Sequence, residues 1–197
     1  MPSKSHFVTS LRTAGKAAVL PLVFGIAACS DPLALRFNAT NFDQPFKVFA
    51  LSGSGLNDPT GLYLIARNVV RIDGNFAFDL AFDINSLGQP SIFPVAAVGT
   101  PLGGATTIGL KRATKSYDQV GEAPRDGYVF DSVMVVRVNE TVVIQAQQQQ
   151  CAGSFTPYIF VKIVFDSVNA GTRELFGRTM INNNCGSRQL SPGVPKF

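Results

Sequence analysis

Residues 75–84 read Asn75, Phe76, Ala77, Phe78, Asp79, Leu80, Ala81, Phe82, Asp83, Ile84: large apolar side chains alternating with polar or small ones. Period two over ten residues fits a pleated strand, in which successive side chains point to opposite faces. A helix would scatter the three phenylalanines around its whole circumference. The pattern predicts a strand that sends Phe76, Phe78, Leu80, Phe82 and Ile84 into a core and leaves Asp79 and Asp83 on a solvated face. Asn85-Ser86-Leu87-Gly88-Gln89-Pro90 then stops it with turn residues.

Weaker versions of the same signal recur along the chain. Phe46 to Leu51 is a short apolar run closed by Ser52-Gly53-Ser54-Gly55, and 62–72 is apolar and β-branched. In 91–98, Pro94 marks an edge or irregular strand, because proline cannot donate to a ladder. Residues 106–111 form another run before a polar loop. Segments 128–138 and 141–146 flank Asn139-Glu140 with the spacing of a tight hairpin, and 158–168 and 173–181 flank Asn169-Ala170-Gly171 in the same way. No stretch carries a sustained helical stripe. Eight or nine short strands with regular punctuation predict an all-β domain: a single antiparallel β-sandwich, Ig-like or jelly-roll-like, with a small β-barrel as the alternative.

The 197 residues are 46% hydrophobic and 15% charged, which suits one globular core. The formal charge of +4 looks basic, but the first 28 residues hold Lys4, Arg12 and Lys16 and no acid. Without them 14 basic residues face 13 acidic ones, so a nucleic-acid partner has no electrostatic footing. The one histidine, His6, lies in the same leader. The rest of the chain therefore has no imidazole for Ser-His-Asp or Cys-His catalysis or for a zinc site, and no cofactor is expected.

The leader itself is ordered like an export signal: a cationic stretch, then an apolar run of twelve from Ala17 to Ala28. Spanning a bilayer takes about 20 apolar residues, so the run is too short for a membrane helix, and Pro21 argues against a core helix. Ile26-Ala27-Ala28-Cys29 resembles the lipobox of bacterial lipoprotein precursors. The resemblance covers residues 1–29 and implies cleavage before Cys29, with acyl chains on its thiol and on the new amine. A plain cleaved signal with an incidental cysteine is the alternative. Ser30, rather than aspartate, after the cysteine resembles the sorting pattern of outer-membrane lipoproteins. The resemblance implies an exported protein of the cell envelope, anchored by lipid to the outer membrane, with a possible envelope-protein or peptidoglycan-associated partner.

With Cys29 lipidated, Cys151 and Cys185 remain. Neither sits in a Cys-x-x-Cys, and an oxidising periplasm favours a disulfide between them. The expected layout is a signal peptide over 1–28, a lipidated tether over 29–44, a sandwich over 45–190 and a tail over 191–197.

Candidate chemistry is sparse. Asp79 and Asp83, four residues apart on one strand, would stand roughly 13 Å apart. A glycosidase pair needs about 5–9.5 Å. Asp83-Ile84-Asn85-Ser86-Leu87-Gly88 resembles the start of a calcium loop, but it lacks the closing glutamate and reads as a hairpin turn. Gly99-Thr100-Pro101-Leu102-Gly103-Gly104 reads as a surface loop, and Gln145 with Gln147 to Gln150 as a solvated one. Lys111, Arg112 and Lys115 form a small basic cluster beside Tyr117. Arg125, Asp126 and Tyr128, in a loop after Pro124, are the best place for a ligand site. The leading expectation is a non-enzymatic binding or structural module. The alternative is a carboxylate-based hydrolase or small-ligand-binding sandwich.

Overall fold

The strands run in the order β1 (Asp43–Phe49), β2 (Gly61–Tyr63), β3 (Asn68–Val70), β4 (Leu80–Ile84), β5 (Pro90–Pro94), β6 (Ala105–Arg112), β7 (Val129–Phe130), β8 (Met134–Val135), β9 (Thr141–Gln148), β10 (Tyr158–Asn169) and β11 (Glu174–Asn182). A four-residue helix, α1 (Val95–Val98), follows β5. The structure is a computed structural model that describes residues 37–72, 77–99, 105–154 and 156–196. The leader, Cys29, Phe76 and residues 100–104 lie outside the described residues.

Two antiparallel sheets face each other. One has the order β1-β11-β10-β9-β6-β7 and the other β3-β2-β4-β5-β8, and they do not close into a barrel. The sandwich is the expected architecture, with eleven strands among the described residues rather than eight or nine. Phe46 on β1, Phe82 on β4 and Phe165 on β10 meet across the gap with ring centroids 5.6 to 5.9 Å apart. One ring pair is stacked and two are edge-on, the arrangements that the ring quadrupole favours. Leu62, Leu80, Ile92, Ile108, Ile144 and Ile163 fill the same core. Phe46 fits because position 177 is glycine: a Cβ there would lie 2.8 Å from the ring and 2.2 Å from the Val164 carbonyl oxygen.

The 75–84 signal holds in its second half. Leu80, Phe82 and Ile84 point inward from β4, and Phe78 is buried just ahead of it. Asp79 is not on a solvated face. It is fully buried, as is Ala81 two residues on, and the Leu64 and Ala105 N–H groups close over its carboxylate. The 62–72 run is a hairpin rather than one strand. It turns at Arg67, whose φ is +57° and whose N–H donates to the Leu64 carbonyl (3.1 Å).

The 128–138 segment does not pair with β9. Glu140 does close a turn onto Arg137, but β6 already occupies that side of β9. The incoming chain instead crosses between sheets, with β7 on β6 and β8 on β5. β8 covers only Ser91 and Ile92 of β5, which leaves Pro94 without a ladder partner on that side. The β10–β11 hairpin forms as the sequence predicts.

The glutamine-rich stretch is not a loop. Gln145, Gln147 and Gln148 belong to β9, and Gln148 is buried. The first strand starts at Asp43, and Asn41 before it bridges Gly193 in the tail. Cys151 and Cys185 form a disulfide with Cα atoms 5.6 Å apart. The bridge closes a 35-residue loop and suits an oxidising, exported compartment. Among the described residues no helix is long and apolar enough to cross a membrane.

Candidate functional site

After β6 the chain leaves the sheet and returns over its outer face. Val120 and Ala123 pack there on Val143, Phe160 and Leu190. The segment beyond β11 lies alongside: Ala123 N–H donates to the Arg188 carbonyl and Leu190 N–H to the Gly121 carbonyl, each at 2.8 Å. β10 and the first half of β9 are thus covered on both faces, so 142–144 and 159–165 run nearly continuously apolar instead of alternating.

Lys162 interrupts that apolar run and is only 3% exposed. Its ammonium donates to the carbonyls of Tyr117 (3.0 Å) and Val120 (3.1 Å) and sits 4.5 Å from the Tyr117 ring centroid. Burial lowers its pKa, with Asp43 and Asp118 pulling partly the other way. The Tyr117 hydroxyl donates to Asp43 Oδ1 (2.8 Å), and burial, then this bond and the Asp43 charge, push the phenol up. Lys162 and Tyr117 therefore bolt the covering loop to the sheet.

Between that loop, the end of β6 and Arg188 lies an open cleft of about 370 Å³. Lys111, Arg112, Lys115 and Arg188 line it, with Glu122 as the one carboxylate. Glu122 and Arg188 (3.1 Å apart) also form the wall of an adjoining hollow that reaches Phe37 and Lys196. Arg112 is paired to Glu140 at 2.6 Å, and its guanidinium also bonds the Val135 carbonyl. Lys115 and Lys196 have no carboxylate partner among the described residues. An open floor rimmed by ammonium and guanidinium groups can attract anions.

The three residues singled out beside this cleft share no hydrogen bond or ion pair with one another among the described residues. Tyr128 donates its hydroxyl to the Pro124 carbonyl (3.0 Å), closing its own loop, and burial raises its pKa. The Asp126 carbonyl accepts from Lys111 (2.6 Å), while its carboxylate is exposed 3.9 Å from the same amine. Gly127 permits that approach: its φ is +78°, and a Cβ there would lie 2.8 Å from Lys111 Nζ. Arg125 is exposed and has no partner among the described residues. The sequence marked the Lys111, Arg112 and Lys115 side of the cleft. It gave no sign of Arg188 or Lys196, which arrive from more than 60 residues away.

Nor do the two aspartates form a pair. Asp79 Oδ2 accepts from Leu64 N–H (2.6 Å) and Oδ1 from Ala105 N–H (2.5 Å), with Gln148 Nε2 at 3.5 Å. Burial raises its pKa, and those three donors pull the other way. Asp83 holds Arg173 (2.9 Å) and the Ser52 hydroxyl (2.6 Å). In the calcium-like stretch, Asn85 Oδ1 accepts from Leu87 and Gln89 N–H, each at 2.9 Å, which is a hairpin turn's use of asparagine.

A second surface feature is apolar. Val129, Phe130, Val133, Val135 and Val138 are all exposed on the short edge strands β7 and β8 and in the segments beside them.

No protein-family model matches this chain, and no curated protein or solved structure matches it either.

Proposed function

We propose that the protein is an exported cell-envelope protein, anchored to the outer membrane by acyl chains on Cys29, and that its β-sandwich is a non-enzymatic binding or structural module. The observation that carries the second half of this reading is how the polar groups are used. Asp79, Lys162, Tyr117 and Tyr128 each hold a neighbouring segment by a hydrogen bond, and apart from Asp79 and Gln148 the side chains between the sheets are apolar and packed. What the domain offers a partner is its surface. The order of cations, apolar run and lipobox supports the first half, and the disulfide fits the compartment. Two or three acyl chains give stable anchoring where one gives only marginal binding.

The test is the intact mass and the membrane fractionation of the protein from its producing cells. Wild type is expected to carry acyl mass on an N-terminal Cys29 and to partition into detergent. Cys29→Ser is expected to be released or to remain uncleaved. A wild type without lipid mass, with Cys29→Ser processed normally, would overturn the anchor.

A further inference from the structure

We propose that the face bearing the two joined hollows lies against an anionic phospholipid leaflet, with Lys115 and Lys196 as its principal contacts. This rests on the anchoring of Cys29. Charge is the first argument. Residues 37–197 contain thirteen lysines and arginines and twelve aspartates and glutamates. The two hollows take five of those cations (Lys111, Arg112, Lys115, Arg188 and Lys196) and one carboxylate, Glu122. Glu140 and Asp126 lie against Arg112 and Lys111 and belong to this face as well. Elsewhere eight cations face nine carboxylates, so the rest of the domain is slightly net negative while this face is net positive. Glu140 and Glu122 partly neutralise Arg112 and Arg188. Lys115 and Lys196 have no such partner among the described residues, and unpaired Arg125 follows Pro124 at the rim of the first hollow.

Placement is the second argument. Phe37, where the described chain begins, lines the same hollow as Lys196. Cys29 is eight residues upstream, a span of at most roughly 29 Å when fully extended. A domain of this length has a diameter of about 40 Å. A tether of that reach, attached on the basic face, brings this face to the bilayer more readily than the opposite one. Attraction between basic side chains and anionic headgroups acts within about a Debye length, ~10 Å at ordinary salt, so the short tether and the basic face reinforce each other. The slightly net negative remainder of the surface is not attracted to the same leaflet.

The acylated protein is reconstituted into vesicles of phosphatidylcholine alone and of phosphatidylcholine mixed with phosphatidylglycerol. A water-soluble amine reagent then labels its lysines, which are read one by one by mass spectrometry. Labelling of Lys115 and Lys196 is expected to fall about fivefold on the phosphatidylglycerol vesicles and to recover at high salt. Lys47, ion-paired to Glu174 on β1, serves as the internal reference and is expected not to change. Equal labelling of Lys115 and Lys196 on both vesicles, or equal protection of Lys47, overturns the face while the anchor stands. Protection of the two lysines on both vesicle types overturns the lipid assignment in favour of contacts between copies of the chain. A protein that carries no acyl mass and floats with neither vesicle overturns the anchor, and the face falls with it.

Discussion

Among the described residues Asp79 and Lys162 are each buried without a counter-ion in contact, one between the sheets and one beneath the loop that covers the six-stranded sheet. They are satisfied by opposite halves of the peptide group. Asp79 accepts from the N–H groups of Leu64 and Ala105, while Lys162 donates to the carbonyls of Tyr117 and Val120. The segments they fasten also differ. Leu64 follows β2 and Ala105 opens β6, so Asp79 ties one sheet to the other. Lys162 ties a loop to a sheet that is already complete. A buried ionisable group satisfied by backbone fixes whatever that backbone belongs to, and the consequence of losing it depends on whether that is the frame or its cover.

The largest expected effect follows from the frame. Asp79→Ala leaves two N–H groups unpaired in a fully buried position, and orphaned groups cost about 1–3 kcal/mol each. The loss is therefore expected to be about 4 kcal/mol by urea denaturation, a large share of the ~5–15 kcal/mol typical of a domain. Asp83→Asn is the comparator. Its ion pair with Arg173 is partly exposed, and its loss is expected to cost no more than about 1 kcal/mol. Equal losses at the two positions would mean that Asp79 does not join the sheets.

The cover responds less. Lys162→Met keeps the stem's packing and removes a desolvated charge, while the Tyr117 carbonyl keeps the Val120 N–H (3.3 Å) as a partner. Global stability is expected to drop by about 1 kcal/mol. Limited proteolysis is expected to speed up within 113–124, because the segment that shields Val143 and Phe160 loses its fastener. A large global loss with no change in proteolysis would erase the distinction between frame and cover.

Part of this was legible in the sequence. The β10–β11 hairpin was, because Asn169-Ala170-Gly171 between two β-branched runs is a local signal and its outcome is local. The neighbouring turn at Asn139-Glu140 carries similar chemistry. Yet the chain before it joins the other sheet, because pairing there is decided by which edge β6 leaves open. Asp79 was misread for a related reason. Alternation only divides residues between two faces, and nothing in the residues themselves says that Asp79 meets Leu64 and Ala105, 15 and 26 residues away. Lys162 did leave a sign, as the lone charge in an apolar run, but its partners lie more than 40 residues away. The cleft was half visible for the same reason: β6 and its loop supply the Lys111–Lys115 side, whereas Arg188 meets Ala123 across 65 residues.

The smallest effect is also the most direct contrast, because the two buried ionisable groups pull stability in opposite directions with pH. Burial raises the Asp79 pKa above the ordinary 3.8. Between 3.8 and the raised value the folded chain holds a proton that the unfolded chain has released. The contribution of Asp79 is therefore present at acid pH and is lost as pH rises through that window. Burial lowers the Lys162 pKa below 10.5, so between its lowered value and 10.5 the unfolded chain holds the extra proton. Its contribution therefore grows as pH rises through that interval. Each titrating group is removed by its own variant, so the measurement is a difference between urea curves. The advantage of wild type over Asp79→Asn is expected to shrink as pH rises from acid toward neutral. The advantage of wild type over Lys162→Met is expected to grow from neutral into the alkaline range. If the Asp79 difference grew with pH instead, the Leu64 and Ala105 N–H groups would outweigh burial and the carboxyl would be held ionised. The site between the sheets would then be a hydrogen-bonded anion whose stabilisation falls away in acid.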